Sequence, residues 1–309
     1  MLCKPQAMFV PRRLDKYLRD STALSLVEIR NACREGRVTV RTEGSGQPLA
    51  GLSDTLVFEG DVVVLDGTAV IPREVHNYLV FNKPRHVTST ASDPTHRADL
   101  RPWLQKMPEG VFPVGRLDRE TSGALLFTDD GDFANAVLQP DHHTMKLYWL
   151  WLDESLPDDD PRLEALVRGV AHETSTELLQ AVSAVVHHRT PHTTELHVTL
   201  DEGKNRQIRK MCHLLQLRLL QLHRKAIGTL HIEALALGEW RRLTGEEVAA
   251  LWQSCGGVAR ISRTKVAALA RMAEAAAQSG RALPRLETWL AHNHTSLAAR
   301  VKHCKRPCD

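Results

Sequence analysis

The sequence contains no long apolar run and few of the features that mark secreted or membrane proteins. None of its apolar stretches approaches the roughly 20 residues that a membrane-spanning helix needs. The first residues, MLCKPQAMFVPRR, lack the extended apolar core of a secretory signal. Six cysteines are scattered along 309 residues, which is not the arrangement of a disulfide framework. These absences predict a cytoplasmic protein with reduced thiols and no membrane partner.

The sequence also lacks internal repeats and a standard metal-binding spacing. The segment HNHTSLAARVKHCKRPC (292–308) holds three histidines and two cysteines, but their separations match no common zinc framework. We therefore predict no metal site and interpret this segment as part of a basic tail.

Positive charge is concentrated at the two ends of the chain, although the formal net charge is only +3. Residues 12–41 hold eight Lys/Arg against four Asp/Glu, and residues 256–309 hold ten against three. Such regions favour a polyanionic partner, most simply nucleic acid. Solvated helix faces have the same composition, so charge alone leaves both interpretations open.

Hydrophobic spacing separates a small N-terminal module from a larger body. RRLDKYLRD (12–20) has the apolar period of a helix. Ser25 and Glu28 form the capping-box pattern of a second helix, which Gly36 is expected to end. The chain is predicted to comprise a module at 11–67, a linker at 68–77, a body of mixed helices and strands at 78–253 and a basic Ala/Arg-rich extension at 254–309. In the extension, disorder and added contacts to a nucleic acid are both open.

Two segments of the body place reactive side chains on predicted strands or at their ends. VGRLDRETSG (114–123) sets Asp118 between arginines, where a carboxylate stays ionised at neutral pH. In HHTMKLYWLWL (142–152), Lys146 and Tyr148 share one face of a strand, and a tyrosine there can stack on a ring or move a proton. The ordinary alternatives are a surface salt bridge and a half-buried core tyrosine.

A third segment, EGKNRQIRKM (202–211), crowds cations at the start of a predicted helix with Asn205 as its N-cap. Free backbone N–H groups at a helix start favour anions. Phosphates, or a carboxylate such as Asp118, therefore fit this segment, and a solvated basic face is the alternative. The cations are Lys204, Arg206, Arg209 and Lys210.

Together and in this order, these segments resemble the three active-site motifs of pseudouridine synthases of the RsuA type. NKP (82–84) and LHRKAIGTLHIEALALGEWRRLT (222–244) are also similar to the family's pattern. The N-terminal module resembles the family's S4 RNA-binding domain. The resemblance implies an α+β fold: a small S4 domain plus a catalytic body with a mixed, mostly antiparallel sheet and flanking helices.

The resemblance implies isomerisation of uridine to pseudouridine in RNA by a monomer that needs no cofactor or metal. Asp118 matches the family's essential aspartate, Tyr148 the active-site tyrosine and Arg209 the basic residue that pairs with the aspartate, for which Arg206 is the second candidate. Arg116 matches an arginine that fills the space left by a flipped base. Ile208 is expected near the uracil. Further RNA contacts are predicted at Lys204, Lys210, Lys146, Arg12, Arg13, Lys16, Arg34 and Arg37.

The expected substrate is ribosomal RNA or a precursor of a ribosomal subunit. The histidines in HHTMKLY favour the small-subunit, 16S-type branch, while 23S ribosomal RNA and tRNA stay open as targets. A second hypothesis is a non-catalytic ribosome-associated RNA binder of the same fold. A glycosidase that uses Asp118 with Glu120 is a third, but it leaves the N-terminal module and EGKNRQIRKM without a purpose.

Overall fold

The structure, a computed structural model, describes residues 2–3, 10–22, 24–42, 49–71, 75–91, 95, 98–171, 178–279 and 282–291. The chain divides into two compact units. The first, here named the sheet unit, comprises residues 1–3 and 74–255. The second, the terminal unit, comprises residues 4–73 and 256–309. None of the helices in the described ranges has the length and apolar character required to cross a membrane.

The elements are numbered in chain order. The strands are β1 (Leu2–Cys3), β2 (Arg12–Arg13), β3 (Val38–Arg41), β4 (Leu49–Ala50), β5 (Leu56–Val57), β6 (Val62–Leu65), β7 (Thr68–Val70), β8 (Val75–His76), β9 (Tyr78–Lys83), β10 (Phe112–Val114), β11 (Thr121–Thr128), β12 (Lys146–Leu152), β13 (Val170–Ala171), β14 (Leu178–Leu179), β15 (Ser183–Arg189), β16 (Thr194–Leu200), β17 (Leu219–Ile227), β18 (Leu230–His231) and β19 (Trp240–Arg242). The helices are α1 (Leu14–Ser21), α2 (Leu26–Arg34), α3 (Arg101–Leu104), α4 (Gly131–Leu138), α5 (Pro161–Arg168), α6 (Gln207–Leu214), α7 (Gly245–Ser254) and α8 (Gly257–Gln278). Residues 140–142 form a 3-10 turn, and residues 284–291 are also helical.

The sheet unit is built on one large sheet with the strand order β15-β16-β12-β17-β11-β9-β19, to which β10 and β18 add at β11 and β17. The β11–β17 pair is parallel, and the other pairs of this sheet are antiparallel. The mixed, mostly antiparallel sheet predicted from the sequence is therefore confirmed.

The core of the sheet unit lies between the strands and the helices α5 and α6. Phe81, Phe127 and Leu150 contribute from the strands, and Leu163 and Met211 contribute from the helices. Every residue of β11 is buried, because a central strand is covered on both faces. This rigid strand begins three residues after Asp118 and so anchors the loop that carries it.

The terminal unit contains α1, α2 and a sheet of order β4-β3-β6-β7. Leu14, Leu18, Ile29 and Val63 are fully buried in its core. The predicted capping box is confirmed: the Ser25 side chain accepts from the backbone N–H of Glu28, and the Glu28 carboxylate accepts from that of Ser25.

The predicted linker at 68–77 is wrong in its first part, because residues 68–70 form β7. Asp66 and Gly67 both have positive φ, 50° and 78°, which is the conformation that a two-residue hairpin turn requires. This turn folds β7 back onto β6, with Leu65 opposite Thr68. The division between the units falls between residues 73 and 74, and β8 within the predicted linker pairs with β1 in the sheet unit.

The basic extension predicted at 254–309 differs from an open tail over much of its length. Val266, Leu269 and Leu286 form an apolar cluster with Val10, against which Leu56 and Phe58 pack. Residues 265–279 and 282–291 are therefore part of the fold of the terminal unit. The histidines and cysteines of 292–308 lie outside the described residues.

Candidate functional site

The sheet unit contains a cavity of about 380 Å³ at the ends of several core strands. Eight of the nine site residues predicted in the body line it: Arg116, Asp118, Lys146, Tyr148, Lys204, Arg206, Ile208 and Arg209. Lys210, predicted to contact RNA, is half-buried and lies outside the lining. Segments separated by more than 80 residues in the sequence are thus brought to one place.

Asp118 lies on the loop between β10 and β11, which backbone contacts hold in place. The Ser89 hydroxyl donates to the carbonyl of Leu117 at 2.7 Å and accepts from its N–H at 3.0 Å. Beyond Asp118, the N–H of Thr121 donates to the Asp118 carbonyl at 3.0 Å. The carboxylate is thereby fixed in position while 26% of its side chain stays exposed.

Two arginines approach this carboxylate. Arg209 Nε lies 3.6 Å from Asp118 Oδ2, and a terminal nitrogen of Arg206 lies 3.8 Å from the same oxygen. The Arg209 side chain is 18% exposed and that of Arg206 is 52% exposed. Arg209 also donates to the Thr121 hydroxyl at 3.1 Å, so it is the better fixed of the two.

The Nε–H of Arg209 is buried and has no hydrogen-bond partner among the described residues. Burial lowers the pKa of the Arg209 guanidinium, and the nearby Asp118 carboxylate opposes that shift. A movement of less than 1 Å brings this donor into hydrogen-bond range of Asp118, and catalytic contacts commonly tighten in this way when substrate binds.

The helix α6 begins one residue later than an N-cap at Asn205 predicts, so that prediction is wrong. Arg206 occupies the N-cap position with a positive φ of 54°, a left-handed conformation that is costly for a residue with a side chain. The side chain of Gln207 holds this turn together: it accepts from the N–H of Lys204 and donates to the carbonyl of Gln180 and to Glu202. The turn directs Arg206 and Arg209 to the same carboxylate.

Strand β12 supplies Lys146 and Tyr148, which face the same side as predicted. Tyr148 is 8% exposed and packs in the core cluster at the cavity wall. The Lys146 ammonium donates to the carbonyl of Thr144 at 2.8 Å. Burial, assisted by the charge of Arg224, lowers the pKa of Lys146 to about 8. The cavity therefore contains a lysine whose charge is only partly stabilised.

The remaining predicted cavity residues occupy its rim and floor. Arg116 is exposed and makes no hydrogen bond or ion pair with the described residues. Ile208 is buried in the lining. The Lys204 ammonium forms an ion pair with Glu202 at 2.9 Å and donates to the carbonyl of Leu178. Arg116 is thus the cation at the rim that is most available to a ligand.

The neighbouring charges of VGRLDRETSG point elsewhere. Glu120 pairs with Arg119 at 2.7 Å and with His86 at 3.1 Å, and it does not line the cavity. Asp118 is the one carboxylate among the described lining residues. The paired carboxylates of a glycosidase site are therefore missing from the described part of the cavity.

Two candidate site residues were not predicted from the sequence. Arg224, from the matched stretch 222–244, lines the cavity and is 5% exposed. Lys83, from NKP, is fully buried, and its ammonium donates to the carbonyls of Pro84 and Val87. Burial lowers the pKa of Lys83 to about 8. Their presence in matched segments was the available signal, but their burial and partners depend on distant strands.

The described residues contain one group able to offer a metal three ligands: His187, Glu195 and His197, with ligand atoms within 4.8 Å of one another. The two imidazole rings are stacked, with centroids 4.2 Å apart and planes 13° apart. Lone pairs in parallel ring planes run side by side and do not converge on one ion. His197 also hydrogen-bonds to Glu195 at 2.9 Å. This arrangement gives no reason to assign a metal.

The predicted RNA contacts of the terminal unit differ in how available they are. Arg12 pairs with Asp20, Arg13 with Asp15, and Arg37 with Asp66 and Glu35. Lys16 is exposed, and Arg34 is exposed while it hydrogen-bonds to Asn31 and to the Arg30 carbonyl. Lys16 and Arg34 are consequently the two of the five that no described carboxylate holds.

Comparison with known proteins identifies the family. The family model described as RNA pseudouridylate synthase matches residues 77–214. The ribosomal small subunit pseudouridine synthase A of Escherichia coli strain K12 is 31% identical over 240 residues, which are 77% of this chain and 99% of that protein. The chain belongs to the RsuA-type family of pseudouridine synthases. The family, the fold class and the enzymatic activity predicted from the sequence are therefore confirmed.

Other similarities agree with membership in the pseudouridine synthase family. The ribosomal large subunit pseudouridine synthase B of Bacillus subtilis strain 168 is 30% identical over 236 residues, covering 76% of this synthase and 93% of that protein. A crystal structure described as pseudouridylate synthase superimposes with a TM-score of 0.52 at 24% identity, over 77% of this synthase and 99% of that chain. This last similarity shows the shared fold.

Proposed function

We propose that this synthase isomerises a uridine of ribosomal RNA, in the small subunit first of all, and that it does so in the cavity around Asp118. The observation that carries the proposal is one ionisable carboxylate, fixed on a braced loop and faced by Arg206 and Arg209. The relatives named above act on ribosomal RNA by name, one on each subunit. The histidines of HHTMKLY support the small-subunit choice.

The reaction requires a cavity of this kind. The C1′–N1 bond of the uridine breaks, the uracil turns, and its C5 bonds to C1′. A base cannot turn while it is stacked in an RNA helix, so the nucleotide is extruded into the protein. A cavity of about 380 Å³ is of the size of small-ligand pockets. Arg116 at its rim fills the gap left in the RNA, and Ile208 packs beside the uracil.

Asp118 is the residue to which we assign the chemistry. It either bonds to C1′ of the sugar or takes the proton from C2′ to give a glycal. In both routes Arg209 faces the carboxylate and orients it. Tyr148 stacks on the flipped base or helps to remove the C5 proton after reattachment.

Isotopic substitution separates the two routes for Asp118. Deuterium at C2′ of the target uridine slows a single turnover several-fold if the C2′ proton is abstracted in a rate-limiting step. Bond formation at C1′ gives no comparable primary effect.

The terminal unit is proposed to bind RNA as an S4-like domain. Among the five RNA contacts predicted in this unit, Lys16 and Arg34 are the exposed cations that no described carboxylate holds. In the full chain, we expect a Lys16→Gln/Arg34→Gln variant to bind RNA more weakly, with a salt dependence whose slope falls by about one to two. Arg37→Gln, which removes a cation already paired with Asp66, is the matched control. Equal salt slopes for the double variant and the wild type would contradict this role.

The test of the proposed substrate is a nucleotide-resolution map of pseudouridine, obtained by carbodiimide labelling, in a strain lacking the gene. We expect one small-subunit position to lose its signal. Expression of the wild type restores it, and expression of Asp118→Asn does not. Loss of a signal in large-subunit RNA or tRNA instead would move the target, and an unchanged map would support a non-catalytic binder.

Purified protein tests the role of Asp118 directly. We expect Asp118→Asn to lose at least about 10⁴-fold in rate, which is the loss seen when a residue of the reacting set is removed. RNA affinity and thermal unfolding stay close to those of the wild type. Turnover within tenfold of the wild type would refute the assignment.

A further inference from the structure

Arg224 lies in the middle of β17, and its side chain enters the cavity from the core of the sheet. It is 5% exposed and lines the cavity beside Tyr148, which lies opposite it in the β12–β17 ladder. Its sequence neighbours alternate to the other face of the sheet, where Lys225 lies 4.5 Å above the ring of Trp149. Arg224 is therefore directed to the cavity by the strand itself.

Two backbone irregularities hold this position. The register of β12 and β17 shifts between Leu147 and Tyr148, so that Lys225 is an extra residue and Arg224 moves opposite Tyr148. On the other side, Gly123 pairs with Arg224 in the parallel β11–β17 ladder. Gly123 has φ +113°, and a Cβ there would lie 2.2 Å from the Arg224 carbonyl oxygen. Only glycine permits this approach.

The guanidinium is anchored at one atom and unneutralised. Its Nε donates to the carbonyl of Ala124 at 2.8 Å. No carboxylate among the described residues lies within ion-pair distance of it. Its charge lies close enough to Lys83 and Lys146 to lower the pKa of both. A buried cation without an anion is costly, and such groups are concentrated at functional sites.

The reaction supplies an anion in this cavity for a limited time. When the C1′–N1 bond breaks, its electron pair stays with the uracil, and Asp118 bonds to C1′ or takes the C2′ proton. The uracil then carries one negative charge, spread over N1, O2, C5 and O4. The charge is lost from the ring when C5 bonds to C1′, as the Asp118–C1′ bond breaks or the proton returns from Asp118 to C2′. The C5 proton then leaves and N1 takes up a proton, which restores the conjugated ring.

We propose that the terminal nitrogens of Arg224 donate hydrogen bonds to a carbonyl oxygen of the flipped uracil and stabilise the anion formed when the C1′–N1 bond breaks. A fixed donor that meets charge only in the transition state is the arrangement that accelerates a reaction most. This role rests on the proposed reaction at Asp118. It gives the cavity two sides with different tasks, Asp118 toward the sugar and Arg224 toward the base.

The test compares Arg224→Met and Arg224→Lys with Lys225→Met as the matched control on the opposite face. Methionine keeps the apolar stem and removes the charge, so a folded protein is expected. In single turnovers with excess enzyme, we expect Arg224→Met to lose about 10²–10³-fold in rate. Arg224→Lys should recover at least tenfold of that loss, and Lys225→Met should stay within twofold. RNA affinity should change by less than threefold in each.

A second substrate separates charge stabilisation from a structural role. Fluorine at C5 withdraws electrons and stabilises the same uracil anion. The loss of rate caused by Arg224→Met is measured on each substrate. For RNA carrying 5-fluorouridine at the target, this loss should be at least tenfold smaller than the loss for uridine. An equal loss on both substrates, or no loss on either, overturns the proposal. If Arg224→Met does not fold, the same comparison is made with Arg224→Lys.

Failure of this inference is distinguishable from failure of the proposed site. If Asp118→Asn turns over RNA at the wild-type rate, the cavity is not the reaction site, and the proposal for Arg224 falls with it. If Asp118→Asn is inactive and Arg224→Met is fully active, the site stands and only the role of Arg224 is refuted.

Discussion

The molecule contains two aspartate–arginine pairs that are built in opposite ways. Asp61 in the terminal unit has a side chain of 0% exposure and accepts two hydrogen bonds from Arg285, at 2.8 and 3.2 Å. Asp118 in the sheet unit is 26% exposed and lies 3.6 Å from Arg209, with no side-chain hydrogen bond to the described residues.

The two aspartates also differ in how many of their carboxylate oxygens are hydrogen-bonded within the protein. Asp61 also accepts from the N–H of Phe58, and the Arg285 guanidinium lies 4.2 Å above the Phe58 ring. Its oxygens are therefore satisfied within the fold. The oxygens of Asp118 are left available to a ligand, and buried cations lie around the cavity. A closed pair fastens two parts of the chain, whereas an open pair leaves its carboxylate accessible to a ligand.

The largest effect that separates the pairs is expected at Arg209. Because Arg209 is more buried than Arg206 and is held by Thr121, we expect Arg209→Met to reduce the single-turnover rate by about 10²–10³-fold. Arg206→Met should lose less than tenfold. Single-turnover kinetics on RNA, with circular dichroism to confirm folding, measure both. A greater loss for Arg206→Met would reverse their order.

The closed pair should act on stability and leave the chemistry unchanged. Asp61→Asn leaves a buried amide facing Arg285, and we expect a loss of about 2 kcal/mol in the free energy of unfolding of the terminal unit. This lies below the 3–5 kcal/mol typical of a fully buried pair, because Arg285 is 44% exposed. Hydrogen exchange resolved by peptide measures this loss unit by unit. Unchanged exchange in residues 49–71 and 265–291 would show that the pair is dispensable.

The buried cations of the cavity should reduce stability in a pH-dependent manner. Burial lowers the pKa of Lys146 from 10.5 to about 8. Between these values the unfolded chain binds the proton and the folded protein does not, so the free energy of unfolding rises with pH. Below about pH 8 the lysine is charged in the folded protein, and its burial lowers the free energy of unfolding by the full amount.

Lys146→Met should therefore show a smaller increase in stability from pH 7.5 to 10 than the wild type shows. We expect the two increases to differ by about 2 kcal/mol, after a reduction for partial exposure. Urea unfolding at several pH values measures the difference. The tyrosines and Lys83 contribute equally to the pH dependence of both proteins, so their contributions cancel in the difference. Parallel curves would show that Lys146 bears no such cost.

The smallest effect is expected at Arg119, a charge adjacent to Asp118 in the sequence but paired with Glu120 on the surface. Exposed pairs contribute about 0–1 kcal/mol, so Arg119→Gln should change the free energy of unfolding by less than about 0.5 kcal/mol. Single-turnover rates should stay within twofold. A large loss of rate would mean that the open pair includes more of its loop than the structure indicates.

Local sequence patterns predicted the parts of the fold that depend on near neighbours. The capping box at Ser25 is present, and Lys146 and Tyr148 face one side of a strand. The motifs also identified most of the cavity lining. Each of these rests on spacings of a few residues, which a sequence displays directly.

The features that were not predicted from the sequence were missed for two different reasons. Residues 68–70 were assigned to a linker, although the Asp66-Gly67 turn folds them back as β7 onto β6. The left-handed Arg206 occupies the cap position expected for Asn205. Arg224 and Arg285 could not be recognised in the same way, because their partners are 100 and 224 residues distant in the chain. Neither a spacing nor a period encodes such a contact.

The apolar cluster that joins the two ends of the terminal unit has a consequence for the order in which the protein is completed during synthesis. Val10, Leu56 and Phe58 leave the ribosome early, but the apolar residues that cover them lie at 266–290. Proteins generally fold from the N-terminus as they are made. Here the sheet unit has all of its strands by residue 242, whereas the first-made unit must wait for the helices that follow. A nascent chain therefore holds all of the residues that line the cavity around Asp118 before it holds a complete terminal unit.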